Sequence, residues 1–121
     1  MTPHNFPARA LESEYEILDP GSGGVIKLTR MFQNVALVTA AAEARTVPAP
    51  AKAGLIQSIS MRTDGGDATV TFTGGFLNAS GAAVSTATFT AVGNTLLLLS
   101  VRTSATAFKF IVLANSGATL A

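Results

Sequence analysis

The chain has no cysteine, no tryptophan, a single histidine and a single tyrosine, and little charge of either sign. Without cysteine there is neither a disulfide nor a thiolate metal site, and the redox compartment goes unread. Eight lysines and arginines against seven acids leave a net charge of +1 on 121 residues. No basic cluster stands out, so the electrostatic footprint of a nucleic-acid binder is missing. No stretch approaches the ~20 apolar residues that span a bilayer, which speaks against a membrane partner. The longest aliphatic run, Leu96 to Leu99, suits a buried strand. The N-terminus, Met1-Thr-Pro-His-Asn-Phe-Pro7, lacks a basic region followed by an apolar one, so the expectation is a protein that stays in the cytoplasm or is assembled there.

Catalytic sets are scarce for the same reason. His4 lies among prolines at the N-terminus, where a general base of a Ser-His-Asp triad would not be held rigidly. Glu12, Glu14, Glu16 and Asp19 form an acidic run with no partner acid in a recognisable pocket; it suits a solvated edge or a basic surface on another protein. Pro20-Gly-Ser-Gly-Gly24 is not followed by Gly-Lys-Ser/Thr, so it reads as a hinge or turn rather than a phosphate cradle. Asn78-Ala79-Ser80 fits a turn better than a glycosylation acceptor. The expectation is no enzyme, no catalytic residue, no cofactor and no metal.

What the chain does have is β patterning. All five prolines lie within the first fifty residues. Residues 1–24 hold three of them and the glycine-rich loop, a composition that reads as an arm lying on a partner or on a neighbouring copy. Residues 11–18, Leu-Glu-Ser-Glu-Tyr-Glu-Ile-Leu, alternate as a strand would, but Leu11, Tyr15 and Leu18 would equally line one side of two helical turns. From Val25 onward, residues 25–121 read as one β domain. Candidate strands are Val25–Met31, Val35–Ala40, Leu55–Arg62, Ala68–Thr73, Val84–Ala91, Thr95–Arg102, Ala107–Ala114 and Ala118–Leu120, separated by Gly- and Asn-rich turns. Ala41–Ala44 is left as a helical turn or a loop, and residues 46–50 as a proline-punctuated edge. Many short strands without a long helical pattern predict an all-β fold, an antiparallel sandwich or barrel, jelly-roll-like, with an extended N-terminal arm. Leu96–Leu99 and Phe110–Leu113, apolar on both faces, should be central or pressed on a neighbour. The threonines at 69, 71, 73, 86, 88 and 90 should look outward or pair across strands.

Thr63-Asp-Gly-Gly-Asp-Ala-Thr-Val-Thr71 carries the sharpest question. If Gly65-Gly66 closes a two-residue hairpin, both glycines take positive φ and Asp64 faces Asp67, an arrangement left to water or bridged by a cation. Two carboxylates fall short of the six to eight oxygens of a calcium site, so a solvated turn is the expectation. From Ala53 to the end only Arg62, Asp64, Asp67, Arg102 and Lys109 are charged, so serine and threonine keep the surface wet. Such a surface tolerates close neighbours.

Ala44-Arg-Thr-Val-Pro-Ala-Pro-Ala-Lys-Ala-Gly-Leu55, the Asp64–Asp67 stretch, Thr88–Leu97, Phe108–Leu113 and the closing Ala114-Asn-Ser-Gly-Ala-Thr-Leu120 occur in an order that resembles small virion proteins of tailed bacteriophages, the decoration or cement proteins of capsids. The resemblance covers roughly residues 35–120. It implies a β-rich homotrimer on the capsid surface of the virion, bound to the major capsid protein partly through its N-terminal arm. Phe6, Tyr15, Ile17 and Leu18 are the candidate apolar anchors of that arm. A carbohydrate-binding or adhesive β-module of a tail or fibre is the alternative; the lack of tryptophan counts against it.

Overall fold

The computed structural model describes residues 16–121. Ten strands follow in chain order: β1 (Glu16–Ile17), β2 (Gly24–Val25), β3 (Phe32–Thr39), β4 (Glu43–Val47), β5 (Ile56–Asp64), β6 (Ala68–Leu77), β7 (Ala83–Phe89), β8 (Thr95–Arg102), β9 (Phe108–Ser116) and β10 (Thr119–Leu120). They form one curled, open sheet in the order β1-β3-β5-β8-β9-β6-β4-β2, with β7 on β6 and β10 on β7. The domain is all-β, as the turn spacing predicts.

The sheet is mixed, however, rather than antiparallel. β1, β3 and β5 pair in parallel on one wing, and β2, β4 and β6 pair in parallel on the other. The chain therefore alternates between wings for its first six strands. Only then does it double back, in the β6–β7 and β8–β9 hairpins. Alternating hydrophobicity marks a strand without marking its partner, which is why a parallel crossing reads like a hairpin in the sequence.

One core serves both wings. Val35 and Leu37 of β3, Ile59 and Met61 of β5, and Leu96 and Leu98 of β8 meet Val47 of β4, Val70, Phe72 and Phe76 of β6, and Phe89 of β7. Phe110 of β9 stands edge-on to Phe72, ring centroids 6.3 Å apart, and the tilted ring of Phe76 has its centroid 4.3 Å from that of Phe72. β8 sits between β5 and β9, so the leucine run occupies a central strand, with Leu97 and Leu99 half-buried on its outer side. Thr69 pairs with Thr88 and Thr71 with Thr86 across β6 and β7, and Thr71, Thr73 and Thr90 face solvent.

The Asp64–Asp67 stretch is not a hairpin tip. β5 pairs with β3 and β8, and β6 with β4, β7 and β9, so these four residues carry the chain from one wing to the other. Neither Gly65 nor Gly66 has positive φ. Their small size is required instead by the β3–β4 turn. A Cβ on Gly65 would lie 2.8 Å from Ala40 Cα, and one on Gly66 would run into the backbone of Ala41 and Ala42. Gly65 N–H donates to Thr39 O (2.9 Å), and Thr39 Oγ1 donates to Gly66 O (2.6 Å), clamping the two crossings together. The cross-strand opposition of Asp64 and Asp67 that a hairpin would impose is absent, and both residues are exposed.

Val25–Met31 also departs from expectation. Only Gly24 and Val25 pair as strand, against Arg45 and Thr46. Beyond Ile26 the chain folds over the inward-facing Gln33, which is buried on β3. Gln33 Oε1 accepts from the Thr29 and Arg30 amides, and its Nε2 donates to Lys27 O (2.9 Å) and to Gln57 Oε1 (2.6 Å). One buried amide thus takes over the backbone pairing that a strand would have supplied.

Candidate functional site

Of the four candidate anchors, Phe6 and Tyr15 lie outside the described residues. Ile17 sits in β1 and packs against the core. Leu18 follows immediately and is 92% exposed, the most exposed large apolar side chain among the described residues. It borders a groove of about 390 Å³ whose walls include Glu16, Ala36, Val38 and Arg62.

The loop that presents Leu18 is anchored on its C-terminal side by Asp19. Asp19 Oδ1 accepts from Arg45 Nε (2.8 Å) and from the Gly21 amide (3.2 Å). Its Oδ2 accepts from Arg45 Nη2 (2.8 Å) and from the Val38 amide (2.9 Å). Arg45 is on β4 and Val38 on β3, so one carboxylate joins the two wings at the open side of the sheet. The geometry is a two-pronged guanidinium–carboxylate pair, the strongest form of such a contact.

Arg45 itself is enclosed: its side chain is 0% exposed, against 11% for Asp19 and 14% for Glu43. Nη2 also donates to Val38 O (3.2 Å), and Nη1 lies 2.9 Å from Glu43 Oε1 without hydrogen-bond alignment. Partial burial pushes the Asp19 carboxyl up, but the hydrogen bonds from Arg45, Val38 and Gly21 outweigh it and hold the group below the ordinary carboxylate range. The Ala40 amide, then Arg45, lower Glu43 in the same way. The bond to Asp19 raises Arg45 against the cost of its burial. Arg45 is the residue that sequence reading misses. Its signal is placement two residues before Val47, on the inward face of a strand, where a charge requires partners.

A second concavity, of about 380 Å³, lies at the end of the sheet where β3 and β5 begin. Among the described residues it is lined by Lys27, Arg30 and Lys52 together with Leu28, Met31, Pro48 and Leu55. Its walls are held from beneath. Gln33 fixes the Lys27–Arg30 segment, and the buried Ser100 accepts at Oγ from the Leu55 amide and donates to Lys52 O, both at 2.8 Å. Among the described residues, no three His, Cys, Asp or Glu side chains gather where they could hold a metal.

No protein-family model matches the chain, and no curated protein sequence is significantly similar to it.

Proposed function

We propose that the protein is a structural component of a virion, a capsid-surface protein of the cement or decoration kind that holds neighbouring shell subunits together. The carrying observation is Leu18: a fully presented apolar side chain set between a core-packed residue and a carboxylate clamped to both wings. The neighbours already tie down the backbone that carries it, so binding has chiefly the side chain's own rotamer freedom left to remove. The charge-poor threonine surface of β6 and β7 supports close packing between neighbours. In this reading the two wings, which share one core, form the sandwich-like body, three copies assemble, and the N-terminal arm with Phe6, Tyr15, Ile17 and Leu18 meets the major capsid protein. Its work is binding rather than catalysis: each copy stabilises only the assembled shell, and repetition multiplies a modest contact.

The test is co-sedimentation of the purified protein with empty capsids of the virus that encodes it. Leu18→Asp should reduce occupancy while leaving the thermal melt unchanged. Full occupancy by that variant, and by Phe6→Asp, would remove the arm from the binding surface. Absence of any capsid binding by the unmodified chain would remove the reading itself.

A further inference from the structure

Charge is sorted along the length of the sheet. Of the seven lysines and arginines between residues 16 and 121, Lys27, Lys52, Arg102 and Lys109 lie at one end, where β3 and β5 begin, β8 stops and β9 starts. None of these four forms an ion pair among the described residues; Arg30, which lines the same cleft, is already engaged and is not one of them. At the opposite end, where β3 and β5 stop, Asp64 and Asp67 are exposed and equally without an ion pair. Arg62, two residues before Asp64, makes none with them. β5 runs the whole distance, and its nine residues at ~3.3 Å each hold the two ends roughly 26 Å apart. That is about three times the ~8 Å screening length of physiological salt, so the ends of one chain do not neutralise each other.

The two ends also differ in relief. The cationic end is concave: the cleft of about 380 Å³ has Leu28, Met31 and Pro48 beside Lys27 and Lys52, and Met31 is 66% exposed. The acidic end consists of two connections laid against each other, the β3–β4 turn and the Asp64–Asp67 crossing. Gly65 N–H donates to Thr39 O and Glu43 N–H to Asp67 O, both at 2.9 Å, so neither connection needs ordering before it binds. Ala40, Ala41 and Ala42 are exposed beside the two aspartates. A preformed turn with two carboxylates and three methyl groups complements a cleft of ammonium groups and apolar side chains. The surfaces that match are different ones, so copies that use them join head to tail and close into a ring where the rotation allows.

We propose that the Asp64–Asp67 crossing of one copy, with Ala40–Ala42 beside it, docks in the cleft between Lys27 and Lys52 of a second copy, and that copies of the chain assemble through this contact. Arg102 and Lys109, on the strands next to the cleft, add to the field that steers the acidic turn towards it. That three copies close the ring rests on the functional reading above. The contact itself needs no capsid, so purified protein tests it separately from shell binding.

The absence of native cysteine gives a direct test. Full-length chain carrying Met31→Cys is mixed with full-length chain carrying Ala41→Cys, treated with a short bis-maleimide and digested for mass analysis. A 31–41 crosslink between two chains is expected from the mixture, and none from either chain alone. Crosslinks 31–31 or 41–41 would mean a two-fold contact and would overturn the proposal, as would a chain that stays monomeric at low salt. Light scattering of the cysteine-free chain should show association that weakens as salt rises. Asp64→Lys with Asp67→Lys, or Lys27→Glu with Lys52→Glu, should each weaken self-association about ten-fold, since attractive surface pairs become repulsive ones. An equimolar mixture of the two variants, or one chain with all four reversals, should recover it. Reversal without effect, or no recovery in either combination, would overturn the pairing of these two ends. Far-UV circular dichroism of each variant separates loss of contact from loss of fold. The cysteine variants change no charge, so their crosslinks decide the matter should a reversed variant misfold.

Discussion

Replacing Asp19 by alanine is the most informative perturbation of the domain. It removes the two acceptors that Arg45 uses at Nε and Nη2 while leaving the guanidinium enclosed between the wings. Breaking a buried ion pair from one side costs about 3–5 kcal/mol, because the remaining charge stays desolvated. Asp19 is partly accessible, so water can replace some of the lost contacts, and the lower end, about 3 kcal/mol, applies here. For a chain of this length that corresponds to roughly a 10 °C fall in melting temperature. Arg45→Met should cost less, since the carboxylates it abandons lie near the surface and can be hydrated, and its own volume is largely kept. The double variant should then be milder than the sum of its parts by about 1–2 kcal/mol, the sign of direct coupling. Urea unfolding followed by far-UV circular dichroism is the assay, since the chain has no tryptophan to report by fluorescence. A loss below about 1 kcal/mol for Asp19→Ala, or strict additivity in the cycle, would refute the idea that this pair ties the wings together.

The same cluster makes the protein acid-sensitive. Asp19 and Glu43 titrate below their ordinary values in the folded chain, so their contribution is complete above the usual carboxylate range and is lost as pH falls through the lowered folded values. Melting temperature should decline across that window, and less steeply in the Asp19→Ala/Arg45→Met double variant. Gly66→Ala drives a methyl group into the Ala41–Ala42 backbone and should destabilise by about 2–3 kcal/mol in urea titration. Gly81→Ala, with open space around it but φ of +87°, should cost only about 1 kcal/mol. Phe110→Ala removes a buried ring that stands against Phe72 and should cost about 3–5 kcal/mol by the same measurement.

Alternation and turn residues made most strands legible. Thr95–Arg102 is predicted to the residue, and Leu55–Arg62, Val84–Ala91 and Ala107–Ala114 come within a few residues of β5, β7 and β9. What the pattern could not carry was partnership. Gly65-Gly66 is the sequence of a hairpin tip, but its glycines serve a close approach to Thr39–Ala42, about twenty-five residues earlier in the chain and outside any local signal. Lys27–Arg30 looked like strand because their backbone partners reside on the side chain of Gln33, which no periodicity reveals. The clamp on Asp19 depended on one buried arginine, and a charge in an alternating strand reads by default as solvent-facing. Leu18 was legible as an apolar residue in a polar arm; its exposure beside a clamped carboxylate was not.

The alternation of early strands between wings has a consequence for synthesis. A ribosome delivers β1 to β4 first, yet the partners that fix β3 and β4 are β5 and β6, and the central hairpin β8–β9 arrives near the end. The local pairings β6–β7 and β8–β9 close short loops, whereas each parallel pairing within a wing closes a longer one through the other wing. The earlier strands can pair among themselves only in parallel, β1 with β3, β2 with β4 and β3 with β5, and the strands that follow supply the antiparallel partners and the other half of the core.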